Sequence, residues 1–449
     1  MKRLLLLTAV LMAVAPVVYA GDYLTNTNQS IRFLRNPSRT GAVGIDGVYY
    51  NPAGVSFMKE GWHFQFNWQS PHQKRDVYSN YGSLYGANYL NPGIAEADGS
   101  FSRRFRGKVD VLIQPSLFAA YNMGDWSFQF GFGVIGGGGE CKFNQGIGAF
   151  EALVGQMGMK KMAEKGMPFG GYSLNQWVEG KSFYYGVTVG AARKIGDKLS
   201  VSLGLRGIIA SNHFKGSVED ITFRTAGGII VNADNTYLLD CRQSGFGIAP
   251  IIGVDFRPNQ YLNLALRYEF RTRLEVESKA KNNDAFNNLA AGLPTFSKYL
   301  DKAKHNADMP SMLALGVEVS PLPYLRIDAG YNHYFDLDTK QWNTDLLKDT
   351  DELTFGVEYD VTKMVEVSAG IQHTFYSQKE ENYSDMNFNL SCTSVGFGVG
   401  VKVSDHVTVN ASYFHSFYQD HTKSNTPNPG YSTYSRTNSV IGLGVDFTF

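Results

Sequence analysis

The chain has 449 residues, and its 41 Lys and Arg residues balance 41 Asp and Glu residues to a formal net charge of zero. This balance excludes the strongly basic surface with which proteins bind nucleic acids, so no nucleic-acid partner is expected. Charged residues make up only 18% of the chain, against roughly 25% in soluble domains, whereas aromatic residues reach 14%. The composition is therefore atypical of a soluble domain.

Residues 1–20 have the pattern of a secretory signal peptide. The basic pair Lys2 and Arg3 precedes an apolar stretch, and a small-residue cleavage site ends at Ala20. That apolar stretch is too short to cross a bilayer as a helix, and no later run of roughly 18 apolar residues occurs. We therefore expect an exported protein without membrane-spanning helices.

From about residue 61 the chain alternates between apolar and small or polar residues. The stretch SVIGLGVDFTF places Ile441, Leu443 and Val445 on one face, with glycine, aspartate and threonine on the other. A period of two is typical of β-strands that bury one face, and about fourteen such segments occur. Very short links join them in pairs at residues 123–126, 194–198, 257–260, 320–323, 361–364 and 404–407.

Long polar loops separate these pairs, so short turns lie at one end of the strands and long loops at the other. This arrangement is typical of bacterial outer-membrane barrels. Without spanning helices, a chain crosses lipid only as a closed barrel, because lipid offers no water to unpaired backbone groups. A soluble β-sandwich or propeller also alternates, but it would not confine its long loops to one end.

The sequence therefore predicts an all-β fold, a transmembrane antiparallel β-barrel of about 14 strands over residues 61–449. We expect it in the bacterial cell outer membrane, in contact with the lipid of that membrane and as a monomer. The chain ends on an outward aromatic residue, Phe449, which we expect the barrel-assembly machinery to recognise.

Residues 21–60 do not alternate. They are rich in Gly, Asn, Ser and Thr, yet Ile31, Phe33 and Tyr49 argue for packing, with a disordered leader as the alternative. About eight strands already suffice for side chains to fill a barrel, so a lumen of about fourteen strands has room for a folded segment. We therefore predict that residues 21–60 form an N-terminal plug inside the lumen.

The stretch GAVGIDGVYYNPAGVSFM resembles the N-terminal motif of the FadL-type outer-membrane transporters. The plug of that family ends in an Asn-Pro-Ala segment just before the first strand, and here these residues are Asn51, Pro52 and Ala53. The resemblance also covers the signal peptide, the strand count, the stretch LALRYEFRTRLEVE and the terminal Phe449, and thus spans the chain.

The resemblance implies passive uptake of long-chain fatty acids or other hydrophobic compounds. It implies that apolar extracellular loops capture the solute, that the lumen holds it, and that the plug acts as a gate. It further implies lateral release into the membrane through a kink in the third strand.

Strand parity turns several charged residues toward the lumen, among them Arg206, Arg267 and Arg326. A guanidinium pairs with a carboxylate in bidentate fashion, so these three are candidate anchors for the anionic head of a ligand. Cross-strand ion pairs that stiffen the barrel are the alternative for each of them. The assignment rests on parity and not on a motif of the family.

Two long loops carry more apolar residues than a solvent-exposed loop needs. Residues 150–166 are predicted to be helical, and residues 284–305 form a second apolar stretch interrupted near Pro294. These loops are candidates for the capture site, with packing among their own side chains as the alternative. The candidate capture residues are Leu153, Met157, Met162, Phe286, Leu289, Leu293 and Phe296.

Residues 131–142, GFGVIGGGGECK, contain the G-x-G-x-x-G spacing of a dinucleotide-binding loop. Alternating phenylalanines precede this spacing and no helix start follows it, so a phosphate-binding loop is excluded. Four glycines, Gly136, Gly137, Gly138 and Gly139, interrupt the alternation in the third strand, where glycine marks a bend or a bulge. They are the candidate lateral gate, with a loop that begins early as the alternative.

No catalytic chemistry is predicted. The nine histidines show no metal-ligand spacing, no G-x-S-x-G motif occurs, and neither a cofactor nor a metal is expected. The three cysteines, Cys141, Cys241 and Cys392, lie far apart, and the sequence leaves open whether two of them pair. A general porin for polar solutes and a structural or adhesive outer-membrane protein are the alternatives to uptake of hydrophobic compounds.

Overall fold

The computed structural model describes residues 26–232, 236–340, 344–385, 387–425 and 430–449. Within these residues, fourteen long strands form one closed antiparallel barrel, which confirms the predicted fold. The predicted signal peptide, residues 1–20, lies outside the described residues.

The barrel strands follow one another in chain order, and each is antiparallel to its neighbours. Their bounds are β1 Gly61–Asn80, β2 Phe101–Asp110 and Gln114–Met123, β3 Trp126–Phe143, β4 Phe169–Ile195, β5 Leu199–Thr225, β6 Tyr237–Asn259, β7 Leu262–Glu269, β8 Ser311–Leu322, β9 Leu325–Phe335, β10 Thr350–Asp360, β11 Val365–Phe375, β12 Cys392–Lys402, β13 Val407–Tyr418 and β14 Tyr431–Thr448. Both segments of β2 pair with β1. Strand β14 also pairs with β1, with Phe66 opposite Val445, and this pairing closes the barrel.

Helices and short strands occur in the N-terminal segment and the long loops. The helices are α1 Ile31–Arg35, α2 Gly47–Tyr50, α3 Gly148–Glu164, α4 Asp284–Gly292 and α5 Pro294–Ser297. Single 3₁₀ turns span Gly54–Phe57, Leu84–Ala87, Asp336–Asp338, Thr344–Leu346 and Glu380–Asn382, and short loop strands span Ile94–Ala95, Ile230–Asn232, Glu275–Ala280, Lys304–Asn306 and His421–Ser424. In the part of the chain that the structure describes, no helix has the length and apolar character needed to cross a membrane.

The outer surface of the barrel carries an apolar belt. Outward side chains such as Phe66, Leu203, Phe246 and Phe397 are 52%, 67%, 61% and 55% exposed. Their chain neighbours on the same strands point inward and are buried or partly buried, as the period of two requires. Such an exposed belt is stable in lipid and costly in water, so the surface fits the predicted outer-membrane location.

Residues 26–60 fill the lower lumen. Helix α1 contacts β11, β12, β13, β14 and β1, so it lies within the closed wall. Its Ile31 and Leu34 are fully buried, and Ser30 caps the helix by accepting a hydrogen bond of 2.9 Å from the Phe33 backbone. The described residues 26–60 therefore lie folded inside the barrel wall with their own apolar core, and we call them the plug.

Inward glycines of β12 bring the plug close to the wall. A Cβ atom on Gly396 would lie 2.1 Å from the Leu34 carbonyl oxygen, and one on Gly398 would lie 2.9 Å from the Arg35 Cβ atom. A side chain at either position would displace α1. The outward Phe397 between them completes the alternation, so glycine here serves plug packing and not strand bending.

Buried ion pairs join the plug to the barrel. Arg39 lies 2.9 Å from Asp46 of the plug and 2.7 Å from Glu358 of β10, and all three side chains are at most 4% exposed. Two further plug arginines, Arg32 and Arg35, pair with wall carboxylates on β14 and β11. The inward carboxylates Glu358, Glu366 and Asp446 therefore hold the plug through ion pairs with its arginines.

Candidate functional site

An apolar pocket lies above the barrel, where two long loops meet. Strands β4 and β5 are each 27 residues long, well beyond the roughly 10 that cross a bilayer, and their outer halves support α3. Gly158 permits the close approach, since a Cβ atom there would lie 2.5 Å from the Phe223 ring. The pocket has a volume of about 40 Å³. It is lined by Phe150, Leu153, Val154, Met157, Val178, Gly216, Ser217, Val218, Tyr237, Leu239, Phe286, Leu289 and Phe296.

Five of the seven candidate capture residues line this pocket together: Leu153, Met157, Phe286, Leu289 and Phe296. The other two lie elsewhere. Met162 is fully buried in the apolar core of the loops, and Leu293 packs against the same core from the link between α4 and α5. The stretch over residues 284–305 breaks at Leu293, which caps α4 before Pro294 starts α5.

Basic residues flank the pocket on α3. A cleft of about 380 Å³ adjoins it and shares Val154, Met157 and Tyr237 with its lining. Lys160, Lys161 and Glu164 also line this cleft; the Lys160 ammonium lies 3.9 Å from Glu164, and that of Lys161 lies 5.8 Å from the centre of the Phe223 ring. An apolar pocket with ammonium groups at its edge matches an amphiphile that has an apolar body and an anionic head.

Asp385 from the loop between β11 and β12 holds the start of α3. Its Oδ2 accepts a hydrogen bond of 2.8 Å from the Ala149 backbone, a role that the uncapped N-terminal residue Ile147 cannot fill. Burial raises the pKa of Asp385 to about 6, although the hydrogen bond from Ala149 and the nearby Lys423 favour the charged form. The Asp385 carboxyl thus joins two loops, although burial removes it from water.

We expect the contact between Asp385 and α3 to weaken as pH rises. The docked carboxyl has a pKa of about 6, against about 3.9 for a free aspartate, so the docked state binds a proton more readily. The contact between Asp385 and α3 is therefore most stable at and below about pH 4 and loses stability between about pH 4 and pH 6. Its stability changes little above about pH 6. Hydrogen exchange should show higher protection factors for the Ala149 amide at pH 5 than at pH 7.5. Asp385→Asn keeps the acceptor oxygen but does not titrate, so it should abolish the difference in protection between the two pH values. An unchanged difference in this variant would contradict the role given to Asp385.

A second cavity, of about 170 Å³, lies in the lumen above the plug. Arg75 of β1 and Arg436 of β14 line it and are direct cross-strand neighbours. The Arg75 guanidinium lies 4.4 Å from the centre of the Phe388 ring, and that of Arg436 lies 4.9 Å from the centre of the Tyr418 ring. The two guanidinium groups give this part of the cavity a positive charge.

Glu352 of β10 lines the same cavity and is buried. Its oxygens accept hydrogen bonds from Asn332, Tyr334, Gln372 and Thr374, at 3.1, 2.9, 2.7 and 3.0 Å. The four donors occupy both oxygens of the Glu352 carboxylate, so this side chain is bonded to its neighbours on the wall.

Arg75 and Arg436 were not among the arginines predicted from the sequence, although the strand parity that indicated the other three also turns these two inward.

The three arginines selected from the sequence contact the plug or wall carboxylates. Arg206 lies 2.7 Å from Glu269, and Arg267 donates to the Tyr49 backbone carbonyl. Their guanidinium groups also lie 4.7 and 4.8 Å from the centre of the Tyr49 ring, so both hold the plug. Arg326 contacts three carboxylates, those of Glu358, Asp360 and Glu366. A role of these arginines as ligand anchors stays a prediction.

The Asn-Pro-Ala segment fixes the end of the plug to the wall. The Asn51 amide donates to Asp255 of β6 at 2.5 Å and its oxygen accepts from the Gly54 backbone at 3.1 Å. The Pro52 carbonyl accepts from Gln129 of β3 at 2.7 Å, and Ala53 is fully buried. The segment thus connects the plug to two strands that are separated along the wall by β4 and β5.

The wall is broken between β2 and β3. Their pairing runs from Met123 and Trp126 to Leu117 and Phe132, and among the described residues it resumes only at Lys108 and Lys142. Strand β3 continues through the glycines selected from the sequence, so no loop begins there. Gly137 and Gly139 have φ values of +89° and +85°, and the register with β4 shifts on both sides of Gly136. These glycines form a bulge that turns β3 away from β2.

The N-terminal end of the plug bonds the broken strand. Asn26 donates from its backbone to the Ile135 carbonyl at 2.7 Å and from its side chain to the Gly137 carbonyl at 3.0 Å. Gln29 donates to the Val134 carbonyl at 2.8 Å. These bonds satisfy β3 carbonyls that face no strand partner on the β2 side. The plug is therefore hydrogen-bonded directly to β3 at the wall break.

The described residues show no metal or disulfide chemistry. No group of three or more His, Cys, Asp or Glu residues among them could hold a metal ion. The three cysteines, Cys141, Cys241 and Cys392, are buried and form no disulfide, which answers the question that the sequence left open.

The terminal Phe449 is 62% exposed and exchanges backbone hydrogen bonds with Trp62. Its recognition by the assembly machinery and the monomeric state stay predictions.

A closed fourteen-stranded barrel with an apolar belt, a folded plug and a broken third strand defines a plugged barrel of the outer-membrane type. No protein-family model and no curated protein matches the sequence. Solved structures do match: the chain has the fold of the FadL-type outer-membrane channels, which confirms the resemblance found in the sequence at the level of the fold.

Three similar structures illustrate the match. A FadL homologue of Pseudomonas aeruginosa has 13% identity and a TM-score of 0.64, with 97% of this chain and 100% of that chain covered. The toluene transporter TodX of P. putida has 12% identity and a TM-score of 0.59, with 90% and 94% covered. The toluene transporter TbuX of Ralstonia pickettii has 14% identity and a TM-score of 0.56, with 94% and 99% covered.

Proposed function

We propose that this protein passively admits hydrophobic compounds through an outer membrane. One observation carries the proposal: the lumen cavity above the plug, lined by Arg75 and Arg436, extends to Gly137 at the wall break. A solute held above the plug thus lies beside a place where the strands do not pair. Hydrophobic solutes gain from a lateral exit, because the lipid beyond it is their preferred solvent.

The proposed route has three stages. The solute first enters the apolar pocket formed by Met157, Leu289 and the neighbouring aromatic side chains. It then passes to the lumen cavity above the plug, and finally leaves between β2 and β3 at the glycine bulge. The ion pairs of Arg39 keep the plug in place, so the lower lumen stays closed to polar solutes.

Long-chain fatty acids are the proposed substrate class. Their carboxylate matches two places with cationic side chains on the route, Lys161 at the edge of the outer pocket and the Arg75 and Arg436 pair in the lumen. Guanidinium pairs bind carboxylates with defined geometry, which would orient the head before the chain is released. Arg206, Arg267 and Arg326, the anchors proposed from parity, lie against the plug or among carboxylates and would act only after the plug moves.

A monoaromatic hydrocarbon is the second candidate substrate. Three phenylalanines line the outer pocket: Phe296 contacts Phe150 in a tilted and Phe286 in an edge-to-face arrangement, at centroid distances of 6.2 and 6.1 Å. This candidate requires no positive charge on the route.

Uptake of radiolabelled oleate and of labelled toluene by a strain that lacks its own transporter tests the function and separates the two substrates. Cells that express the protein should accumulate oleate above the empty-vector level. Met157→Asp places a carboxylate in the apolar pocket and should reduce uptake by about tenfold, because a desolvated charge opposes both the apolar chain and its anionic head. Toluene uptake without oleate uptake would favour the second candidate.

Met159→Asp is the matched control, since Met159 lies on the same helix, is 41% exposed and does not line the pocket. It should leave uptake unchanged. With the barrel confirmed in the membrane, no gain of either solute over empty vector would contradict the proposed function.

A further inference from the structure

Three lysines form a row across the outer face of the barrel. Lys74 of β1 is the direct partner of Lys108 of β2, and Lys108 is the direct partner of Lys142 of β3. All three side chains are exposed and point away from the lumen. We call this set the lysine row. Like charges directly opposite one another destabilise a sheet, so the row is unfavourable without an anion.

The lysine row lies at the edge of the apolar belt nearest the loops. On β1 the outward positions Trp62, Phe66 and Trp68 are 49%, 52% and 44% exposed, and Lys74 follows them toward the loop end. On β4 the outward Phe183 is likewise followed toward the loops by Lys181. This level corresponds to the boundary between acyl chains and headgroups of the outer leaflet.

Nearby carboxylates already have other partners. Asp76 lies 2.5 Å from Arg104 and 2.7 Å from Arg106, and Asp110 lies 2.9 Å from His72. Within the described part of the chain, no carboxylate lies within ion-pair distance of any lysine in the row. Glu140 lies 3.7 Å from Lys181, and Glu179, opposite Lys142 in the register, makes no ion pair with it.

An open cleft of about 660 Å³ lies on this face. Lys108, Lys142, Arg104 and Arg106 line it, together with two carboxylates and two amide side chains. Arg104 and Arg106 share Asp76, so Lys108 and Lys142 are the two cations of this cleft that have no ion pair among the described residues, and they can hold a phosphate between them. The cleft is therefore suited to a compact anion and not to an extended acidic surface.

Apolar residues lie just below the row. Leu112 and Ile113, between the two segments of β2, are 73% and 58% exposed. The indole of the outward Trp68 donates to the Leu112 carbonyl at 2.9 Å, which places this segment on the lipid side of the wall. A cationic cleft directly above exposed apolar side chains matches a molecule with a phosphate head and acyl chains.

We propose that the lysine row binds the phosphate of a phosphorylated lipid in the outer leaflet. The headgroup phosphate lies in the cleft between Lys108 and Lys142, with Lys74 contributing long-range attraction. The acyl chains run down past Leu112 and Ile113, over the wall break between β2 and β3. The bound lipid thereby covers the break from outside. This site stands on its own observations and does not depend on transport.

Binding of diphosphorylated lipid A to the purified full-length protein in detergent tests the proposal, with dephosphorylated lipid A and inorganic phosphate as separate probes. The diphosphorylated lipid should bind, its affinity should fall with ionic strength, and the other two probes should bind far more weakly. Replacing Lys74, Lys108 and Lys142 by Gln should weaken binding by roughly fivefold for each lysine removed. The single variant Lys108→Gln provides the same test should the triple variant not fold.

The matched control replaces three exposed lysines elsewhere, Lys198, Lys279 and Lys363, by Gln, which removes the same charge from other faces. Its affinity for the lipid should equal that of the wild type. Equal binding of the lysine-row variant would overturn the proposal. Equal binding of dephosphorylated lipid would assign the face to acyl chains alone, and equal binding of inorganic phosphate would assign it to a free anion; either result would also overturn it.

Discussion

Replacing Arg39 by alanine is expected to open the plugged barrel to ions. Arg39 connects Asp46 of the plug to Glu358 of the wall, and the three side chains are buried. Removing one partner of a buried ion pair costs roughly 3–5 kcal/mol, because the remaining charges stay buried without compensation. Here the buried Asp46 would lose its ion pair with Arg39, and the link from the plug to Glu358 of the wall, which keeps Arg326 at 3.2 Å, would be lost. The plug should loosen, and planar bilayers should show steady conductance where the wild type is nearly silent.

Two variants make this test specific. Arg39→Lys keeps the charge but not the planar fork that contacts two carboxylates at once, so an intermediate conductance is expected. Arg273→Ala removes an exposed arginine and should remain silent. A folded Arg39→Ala barrel that is as silent as the wild type would contradict the anchoring role. Steady conductance of the wild type itself would favour the general porin that the sequence left as an alternative.

Replacing Gly137 and Gly139 by valine is expected to close the wall break and stop uptake. Both residues have positive φ values, at which a β-branched residue costs roughly 1–2 kcal/mol or more. A Cβ atom at position 137 would lie 2.3 Å from the Ser182 carbonyl oxygen, and one at position 139 would lie 2.7 Å from Val111. The bulge cannot persist with these side chains, so β3 should straighten and pair with β2. Oleate uptake should fall to the empty-vector level.

Gly196→Val is the matched control for backbone strain. Gly196 has a φ of +66° in the short turn between β4 and β5, and an added Cβ atom there would meet nothing within 4 Å. The variant should therefore carry a similar conformational cost without affecting the wall break, and uptake should be retained. Unchanged uptake in a folded Gly137 and Gly139 variant would rule out lateral release at this bulge.

The barrel could be predicted from the sequence because its signal is local. Each strand shows its two faces within a few residues: Ile441 and Leu443 of β14 are 55% and 46% exposed, whereas Gly442 and Gly444 between and beside them approach Ile31 of the plug. The link lengths likewise indicate which ends carry the short turns. Lipid enforces both features, since backbone groups within it must be paired and side chains that face the acyl chains must be apolar.

The outer pocket could be predicted only as two separate stretches. Leu153 and Met157 and, in the other loop, Phe286 and Leu289 were recognisable as apolar residues in polar surroundings. Their meeting in one pocket depends on the long projections of β4 and β5, which support α3. Met162 differs from Met157 because it faces the core side of the same helix. Short apolar stretches do not reveal which face of a helix is covered by a distant loop.

By itself, the sequence determined the strand faces, the order of turns and loops, the plug motif and the interrupted third strand. The tertiary structure alone decided which residues meet across the chain. Arg75 faces Arg436, Asn26 bonds β3, and Lys74, Lys108 and Lys142 align in one row. These contacts depend on strand register, and a slip of one residue would turn each side chain to the opposite face. Register is fixed by the closure of the whole barrel, which no local pattern encodes.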